Sequence, residues 1–495
     1  MSETLHKAHT YEAIHGGQIP PHQRPAFHLT PYVGWMNDPN GFSFYQGEYH
    51  LFYQYYPYDT NWGPMHWGHA VSRDLLHWTF RPVALAPDTD YDSVGCFSGS
   101  ALELPDGRHL IMYTGVHRET DADVVTRDIQ TQCLAVGDGM NYEKYPHNPV
   151  LTEKDLPQGG SRFDFRDPKL WQEKDGTYRC VIGNRPADGS GSILRFRSED
   201  GFHWQADGIL AENQNQYGKM WECPDYFSLD GKQVLMVSPQ DMLSSGLEFH
   251  HGNGTLCLIG HEDPDGGQLC REQVQAIDYG LDFYAPQTVL APDGRRIMVA
   301  WMQNWDGLGE RSPEHLAWFG QMTLPRELTV QDGRLFQRPI RELDGLRGPC
   351  QFCGSLHVDG ELPLEQVHGR TLDLTLSFAP QPGAPLYQSL SVDVACDQMY
   401  RTTLRYDPNT SVLTLDRSHS GTRRDVAHVR SCKVRDQGGP LKLRLILDRY
   451  SLEVFVNDGE QALSCTLYTP AEADGVCIRT QGALSAHVEA YPLLP

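Results

Sequence analysis

The feature that most constrains this chain is a short turn-like sequence that returns at intervals of roughly 60 residues. The segment from Ser72 to Trp78 recurs from Ser198 to Trp204, and a related segment from Val136 to Tyr142 lies between them, with an Asp and the last aromatic residue in register. Each copy follows a β-rich run. The interval is somewhat above the usual length of a propeller blade, so the repeat indicates one small sheet per unit with long loops.

A second marker is a turn glycine placed directly before an apolar strand. Gly47 is the first, and four Asp-Gly pairs follow, each a hairpin signal. They lie at Asp106-Gly107, Asp175-Gly176, Asp230-Gly231 and Asp293-Gly294. Long helical periodicity is absent. We therefore predict an all-β chain whose residues 1–340 form a five-bladed β-propeller that carries the catalytic site; the competing interpretation is an irregular all-β sandwich.

The pattern changes from about Cys353 onward to short strands of period-2 alternation. Leu441 to Leu447 and Leu452 to Val456 are examples, and Asn457-Asp458-Gly459 marks a turn. This alternation predicts a C-terminal β-sandwich over residues 350–495. Between the two domains, Arg341 to Leu346 is a short connector, either one helical turn or an irregular link.

Composition excludes several classes of partner. The formal net charge of −23 argues against nucleic acid and against an anionic membrane, since both need a basic surface. It is compatible with a small neutral ligand, and a phosphorylated sugar stays open because local cations act at short range. We find no stretch long enough to span a membrane and no secretory signal.

Cysteine usage predicts a reducing compartment. The twelve cysteines are scattered, as in reduced cytoplasmic proteins. Cys350 and Cys353 form a lone C-x-x-C pair without a second pair or histidines at ligand spacing, so we expect two unpaired thiols and no metal site.

Three acidic residues have unusual neighbours. Asp38 lies in Trp35-Met36-Asn37-Asp38-Pro39, Asp167 in Phe165-Arg166-Asp167-Pro168, and Glu222 in Met220-Trp221-Glu222-Cys223-Pro224. Acids flanked by bulky aromatics and a proline do not resemble solvated surface acids. Singly, each is explained by a turn or a surface ion pair. Jointly they indicate glycoside hydrolysis, because a propeller brings loops of different blades together at one end of its axis.

The neighbours of these acids suggest different protonation states. Asn37 can donate to Asp38 and keep it ionised, which suits a nucleophile. Glu222 stands in apolar company, which favours the protonated form and suits an acid/base. Arg166 should keep Asp167 ionised for binding sugar hydroxyls and stabilising the transition state.

Aromatic residues near turns and near these acids could pack against the C–H faces of a sugar. The candidates are Trp62, Trp67, Phe97, Trp221, Trp301 and Trp305. We assign Trp78, Tyr142 and Trp204 to the scaffold instead, because they repeat with the blade.

The chain closely resembles the β-fructofuranosidases of glycoside hydrolase family 32, which comprise invertases, sucrose-6-phosphate hydrolases and fructan hydrolases. The resemblance covers nearly the whole chain, and its motifs follow in the family's order. They are His28 to Gly41, Phe52-Tyr53-Gln54, Trp62-Gly63, Trp67-Gly68-His69, Phe97-Ser98-Gly99-Ser100, Phe165 to Pro168, Glu222-Cys223-Pro224, Asp278-Tyr279-Gly280, Phe283-Tyr284-Ala285, Trp301 to Trp305 and Leu324-Pro325-Arg326.

The resemblance implies a five-bladed propeller with a C-terminal β-sandwich and no metal or organic cofactor. It also implies roles: Asp38 as nucleophile, Glu222 as acid/base and Asp167 as transition-state stabiliser. The residues that it places around the fructose are Trp35, Asn37, Gln54, Trp62, Phe97, Ser98, Arg166 and Trp305.

The expected activity is retaining hydrolysis of terminal β-D-fructofuranosides. Sucrose, sucrose 6-phosphate and short fructooligosaccharides are the expected substrates, since long polymers do not enter a cell. A fructan exo-hydrolase of inulin or levan, a fructosyltransferase and a non-catalytic fructoside-binding protein are the alternatives. The sandwich domain could cover one face of the propeller, bind carbohydrate or join subunits of a homo-oligomer.

Overall fold

The computed structural model describes residues 1–120, 125–308, 316–421 and 427–495, and β-strands dominate these residues. One α-helix, α1 (Glu3–His15), lies at the N-terminus. The six short 3-10 helices in the same ranges are Gly16–Gln18, Pro21–Gln23, Glu153–Asp155, Trp305–Gly307, Arg341–Leu346 and Asn457–Gly459. The predicted all-β class is confirmed, and the connector at Arg341–Leu346 is helical rather than irregular.

Five sheets of four or five strands make up the described residues before position 340. The first sheet contains β1 (Gly34–Tyr45), β2 (Glu48–Tyr56), β3 (His66–Ser72), β4 (Thr79–Leu85) and the later strand β19 (Trp318–Phe319). The second contains β5 (Gly95–Glu103), β6 (His109–Thr120), β7 (Thr126–Gly137) and β8 (Tyr142–Lys144), and the third contains β9 (Phe165–Gln172), β10 (Tyr178–Asn184), β11 (Ser192–Ser198) and β12 (Gln205–Glu212). The fourth contains β13 (Trp221–Leu229), β14 (Lys232–Pro239), β15 (Leu256–Glu262) and β16 (Leu269–Ala276), and the fifth contains β17 (Tyr284–Leu290), β18 (Arg296–Trp301), β20 (Arg326–Gln331) and β21 (Arg334–Pro339).

The predicted turn glycines all occupy one position in these sheets: each joins the first strand of a sheet to the second. Gly47 lies between β1 and β2, and the four Asp-Gly pairs lie between β5 and β6, β9 and β10, β13 and β14, and β17 and β18. All five glycines have φ between 79° and 92°, a left-handed conformation that glycine adopts without strain. The hairpin predictions are therefore confirmed.

The repeated Asp/aromatic segment is the turn between the third and fourth strands of a sheet. Asp74 accepts hydrogen bonds from the backbone N–H of Leu76 and His77, and Asp200 repeats this arrangement in the third sheet. The Trp78 indole donates to the carbonyl of Leu75. Asp138 accepts in the same way from Met140 and Asn141, so the repeat in the sequence is a local turn that recurs in three of the five sheets.

The first strands of the five sheets adjoin one another in a closed ring. β1 contacts β5, β5 contacts β9, β9 contacts β13, β13 contacts β17, and β17 returns to β1. The short strand β19, late in the chain, pairs parallel to β1 through Gly34–Trp318 and Trp35–Phe319. Because a late strand completes the first sheet, the two ends of this part of the chain are joined by backbone hydrogen bonds.

Two antiparallel sheets of six strands make up the described residues after position 350. One contains β22 (Phe352–Val358), β24 (Leu372–Pro380), β29 (Leu441–Asp448), β30 (Ser451–Val456), β31 (Gln461–Thr466) and β33 (Leu484–Pro492); the other contains β23 (Glu361–His368), β25 (Ser389–Cys396), β26 (Arg401–Asp407), β27 (Val412–His419), β28 (Val429–Lys433) and β32 (Gly475–Gln481). The alternating leucines of β29 (Leu443, Leu445) share a core with Leu404 and Leu413 of the second sheet. The predicted alternation is confirmed, since inward side chains of both sheets form one core.

Buried charges connect the two parts of the chain. The His28 ring lies 2.8 Å from Asp448 and 2.9 Å from Glu453, with no exposed side-chain surface on any of the three. Arg326 donates to Glu453 and to Asp278. Burial lowers the pKa of His28, but the hydrogen bonds and charges of Asp448 and Glu453 outweigh burial and raise it to about 9. An imidazolium and a guanidinium are therefore shared by three carboxylates across the junction.

Helix α1 was not predicted from the sequence. Its side chains bury little: only Ala8 and Glu12 are counted in the interior, so no apolar stripe of period 3.6 marks it in the sequence. The Ser2 side chain accepts from the N–H of Leu5 and caps the first turn. Within the described ranges, no helix is long and apolar enough to cross a membrane.

Candidate active site

Each of the five first strands is interrupted by a β-bulge at a corresponding place. The pairing register shifts at Asn37-Asp38 in β1, Ser98 in β5, Asp167-Pro168 in β9, Cys223-Pro224 in β13 and Ala285-Pro286 in β17. A bulge bends the strand and re-aims a side chain. The predicted acids therefore lie at or beside bulges of three different sheets.

Proline explains why the pairing stops there. Pro39, Pro168, Pro224 and Pro286 each follow the bulged residue, and proline cannot donate to a ladder. Asp167, Cys223 and Ala285 have φ of 67°, 49° and 51°, a left-handed conformation unusual for side-chain-bearing residues. These strained positions cluster at one end of the ring of strands.

Two of the acids converge on the Cys223 residue. The backbone N–H of Cys223 donates to Asp167 Oδ2 at 2.9 Å, and its Sγ lies 3.5 Å from Asp38 Oδ2 and 3.7 Å from Asp167 Oδ2. Ser98 Oγ donates to Asp38 Oδ2 at 3.0 Å. The other oxygen of Asp38, Oδ1, is buried and has no hydrogen-bond partner in the described chain. It is thus the uncommitted atom of this carboxylate.

Glu222 is held by two partners from other strands. Arg166 donates from Nη2 at 2.9 Å and from Nε at 3.1 Å to Glu222 Oε1, and Tyr284 Oη donates to Oε2 at 2.5 Å. By contrast, Asp167 Oδ2 lies 3.9 Å from Arg166 Nε, which is too far for a hydrogen bond. The expectation that Arg166 serves mainly Asp167, and that Glu222 stands in apolar company, is therefore corrected. Sequence neighbours project to different sides at a bulge, so adjacency along the chain did not predict the contacts.

The carboxylates lie close enough to raise each other's pKa. Burial and the Glu222 charge raise the pKa of Asp38 to about 6, against hydrogen bonds from Asn37, Ser98 and Cys223. Burial raises that of Asp167 to about 7, although the Arg166 charge opposes it. Both shifts differ from the sequence expectation that Asn37 and Arg166 keep these acids ionised. Burial is the largest cause of both shifts, so Asp38 and Asp167 hold their protons to a higher pH than solvated aspartic acids do.

The predicted aromatic residues divide into a wall and a core. Trp62 is 46% exposed and meets Phe97 edge-on at 6.1 Å between ring centroids. Trp305 is half-buried and stacks near Trp35 at 6.2 Å. Trp35 is itself buried, and its indole donates to Asn37 Oδ1 at 2.7 Å, which orients that amide. These four aromatic residues come from four different segments of the chain: the loop between β2 and β3, β5, the 3-10 helix at Trp305 and β1.

Three other aromatic candidates cannot pack against a sugar, contrary to the expectation from the sequence. Trp67, Trp221 and Trp301 have no exposed surface, so they belong to the core rather than to a sugar-packing face. The Gln54 side chain is buried on β2, and its amide donates to the carbonyl of Cys96 at 3.0 Å. Gln54 therefore braces the strand that carries Phe97 and Ser98.

Tyr284 is a site residue that the residue-by-residue reasoning missed. Its ring is fully buried, and its hydroxyl contacts both Glu222 and the carbonyl of Ser238. A signal was present: Tyr284-Ala285-Pro286 repeats the pattern of a residue pair before a strand-interrupting proline.

Within the described part of the chain, no group of three or more His, Cys, Asp or Glu side chains has the arrangement of a metal site.

Comparisons with known proteins agree along the whole chain. Residues 28–339 match the model of the glycosyl hydrolases family 32 N-terminal domain, and residues 342–492 match that of the family 32 C-terminal domain. A raffinose invertase of Escherichia coli is 41% identical over 93% of this chain and 94% of its own length. A sucrose-6-phosphate hydrolase of the same organism is 36% identical over the same shares.

A solved structure has the same fold over its full length. The family 32 β-fructofuranosidase of Bombyx mori, determined as a mutant in complex with sucrose, superposes with a TM-score of 0.85. It is 34% identical, and the match covers all of this chain and 99% of that one.

Proposed function

The chain belongs to glycosyl hydrolase family 32, and from this premise we propose that Asp38, Glu222 and Asp167 carry out its chemistry. The protein is a β-fructofuranosidase, a hydrolase that releases terminal β-D-fructofuranosyl residues. The observation that carries the assignment of roles is the convergence of three carboxylates from three different sheets: Asp38 and Asp167 both contact Cys223, and Arg166, the neighbour of Asp167, bonds to Glu222.

In the proposed first step, Asp38 Oδ1 attacks C2 of the fructosyl unit while Glu222 transfers a proton to the glycosidic oxygen. The bond between C2 and that oxygen breaks. The sugar that was linked to fructose leaves with a free hydroxyl, and a fructosyl ester of Asp38 remains. In the second step, water attacks C2 and gives its proton to Glu222, which regenerates the Asp38 carboxylate and releases fructose. The configuration at C2 is retained because it is inverted twice.

The proton needed in the first step comes from the carboxyl cluster itself. Burial and the neighbouring carboxylates raise the pKa of Asp38 to about 6 and that of Asp167 to about 7, so these acids bind a proton at higher pH than solvated carboxylates do. Tyr284 and Arg166 hold the two oxygens of Glu222 and fix its direction. We propose that substrate binding places this proton on Glu222.

The remaining residues would bind the fructosyl unit. Asp167, Asn37 and Arg166 offer acceptors and donors to its hydroxyls, and Asp167 would also stabilise the positive charge that develops at C2. Trp62, Phe97 and Trp305 offer ring faces and edges, and Trp35 orients Asn37. Ser98 and Gln54 would support Asp38 and its surrounding strand.

For the architecture, we propose that the five sheets are the blades of a five-bladed propeller within residues 1–340, and that residues 350–495 are a β-sandwich. The closed ring of first strands supports the first part, and the shared core of the two six-stranded sheets supports the second. The absence of any disulfide among the twelve free cysteines supports a cytoplasmic location. Self-association through the sandwich stays a prediction.

Fructose release from sucrose, sucrose 6-phosphate, raffinose, kestose and inulin tests the function and ranks the leaving groups. Asp38→Ala and Glu222→Ala should each lose most activity while keeping the far-ultraviolet dichroism of the parent. Including methanol in the sucrose reaction tests the stereochemistry, since a retaining enzyme yields methyl β-D-fructofuranoside. Formation of the α-anomer, or near-parent rates in both variants, would reject the mechanism.

A further inference from the structure

The backbone around Asp167 is held by side chains of the neighbouring sheet. Asp167 adopts a left-handed conformation, with φ of 67°, at a point where β9 loses its register with β10. Such a conformation persists only when its surroundings impose it. The contacts that could impose it come from β5, β6 and β7, which belong to the preceding sheet.

Thr114 and Gln132 form a directed chain of hydrogen bonds to this turn. The Asp167 N–H donates to Thr114 Oγ1 at 3.0 Å, and Thr114 Oγ1 donates to Gln132 Oε1 at 2.9 Å. Gln132 Nε2 then donates to the carbonyl of Phe165 at 2.7 Å. Thr114 and Gln132 have no exposed surface. These hydrogen bonds therefore hold the backbone of the turn at Phe165 and at Asp167, on either side of Arg166.

The geometry favours one arrangement of these bonds, because the Thr114 hydroxyl lies 2.9 Å from Gln132 Oε1 and 3.4 Å from its other acceptor, the carbonyl of Ser98. Because the Asp167 N–H can only donate, the Thr114 hydroxyl must accept there and direct its own hydrogen elsewhere. The Gln132 amide has its oxygen toward Thr114 and its nitrogen toward a carbonyl, so both ends are satisfied. Thr114 Oγ1 also lies 3.4 Å from the carbonyl of Ser98, whose side chain donates to Asp38. The Thr114 hydroxyl thus contacts the backbone of Asp167 and lies near the backbone of Ser98, whose side chain bonds to Asp38.

We propose that Thr114 and Gln132 are positioning residues that hold Asp167 in the conformation required for transition-state stabilisation. This inference rests on the role proposed above for Asp167. Neither residue contacts the reacting atoms; both act through the backbone of residues 165–167. Catalytic groups must be held within a fraction of an ångström, and a displacement of about 1 Å can reduce the rate about a hundredfold.

The test compares Thr114→Val, which removes the hydroxyl with little change of shape, with Thr114→Ser, which keeps it. We expect Thr114→Val to lower kcat/KM for sucrose about ten- to a hundredfold, mostly through kcat, and Thr114→Ser to restore most of it. Gln132→Met should act in the same direction and provides a second variant if one fails to fold. Thr131→Val is the matched control, because Thr131 is a buried threonine of β7 whose hydroxyl bonds to Gly115 and Cys133 and does not reach Asp167.

A double-mutant cycle separates positioning from general structural damage. In an Asp167→Asn background, Thr114→Val should have a much smaller effect than in the parent, because the group that it positions is already impaired. An equal loss in both backgrounds, or a change below about twofold in the parent, would overturn the inference. If Asp167→Asn loses most activity but Thr114→Val has no effect, this inference is wrong and the proposed function still holds. If the parent enzyme releases no fructose, the proposed function itself is wrong.

Discussion

Removing the Ser98 hydroxyl should move the acid limb of the pH–activity profile upward. Asp38 must be ionised to attack C2, and its pKa is already raised to about 6 by burial and by the Glu222 charge. Ser98 donates to the carboxylate at 3.0 Å and so favours the ionised form. In Ser98→Ala this support is lost, while the bond from the Cys223 thiol remains.

The size of the shift follows from one charge-assisted hydrogen bond. Such a bond contributes about 1.5–3 kcal/mol, of which water entering the pocket restores a part. One pKa unit corresponds to about 1.4 kcal/mol, so a shift of about one unit is expected, from about 6 to roughly 7. At pH 6 the ionised fraction then falls from about one half to about one tenth, and kcat/KM falls about fivefold, while rates at pH 8 stay close to the parent.

The assay is kcat/KM for fructose release from sucrose between pH 4 and pH 9. Ser43→Ala is the control, because Ser43 is a buried serine on β1, the strand of Asp38, and its hydroxyl bonds to Gly41 and His109 instead. An acid limb that stays in place or moves to lower pH in Ser98→Ala would refute the account of the Asp38 charge. A uniform loss at all pH values would mean that Ser98 acts on substrate geometry and not on ionisation.

Three further outcomes are expected. Arg326→Met leaves Asp278 buried without its cation and Glu453 with His28 alone, and should lower the free energy of unfolding in urea by roughly 3–5 kcal/mol; a loss below about 1 kcal/mol would contradict this. The His28 pKa rises on folding to about 9, so its stabilisation is full below about 6.5 and disappears as pH rises through about 9; Tm should fall more steeply with pH in the parent than in His28→Gln, and parallel curves would exclude this linkage. Trp62→Ala should raise KM for sucrose about fivefold with little change in kcat, and an unchanged KM would remove Trp62 from the substrate wall.

Local signals in the sequence were sufficient to predict the hairpin turns and several of the strands. Asp-Gly pairs determine their own backbone conformation, and the Asp/aromatic turns are closed by hydrogen bonds within five residues. Period-2 alternation likewise depends only on neighbouring residues, and it predicted β29 and β30 closely. Helix α1 escaped because it buries almost no apolar face and therefore has no comparable periodicity.

The partners and charges of the site were decided only by tertiary structure. Arg166 bonds mainly to Glu222, which is 56 residues away, rather than to the adjacent Asp167, because the bulge turns the two side chains apart. Tyr284 reaches Glu222 from yet another strand. The raised pKa values of Asp38 and Asp167 follow from shared burial, which no single motif encodes. Sequence alone determined which residues could do the chemistry; the closure of five strands into a ring determined which of them touch, because electrostatic and hydrogen-bond energies depend on distances through space.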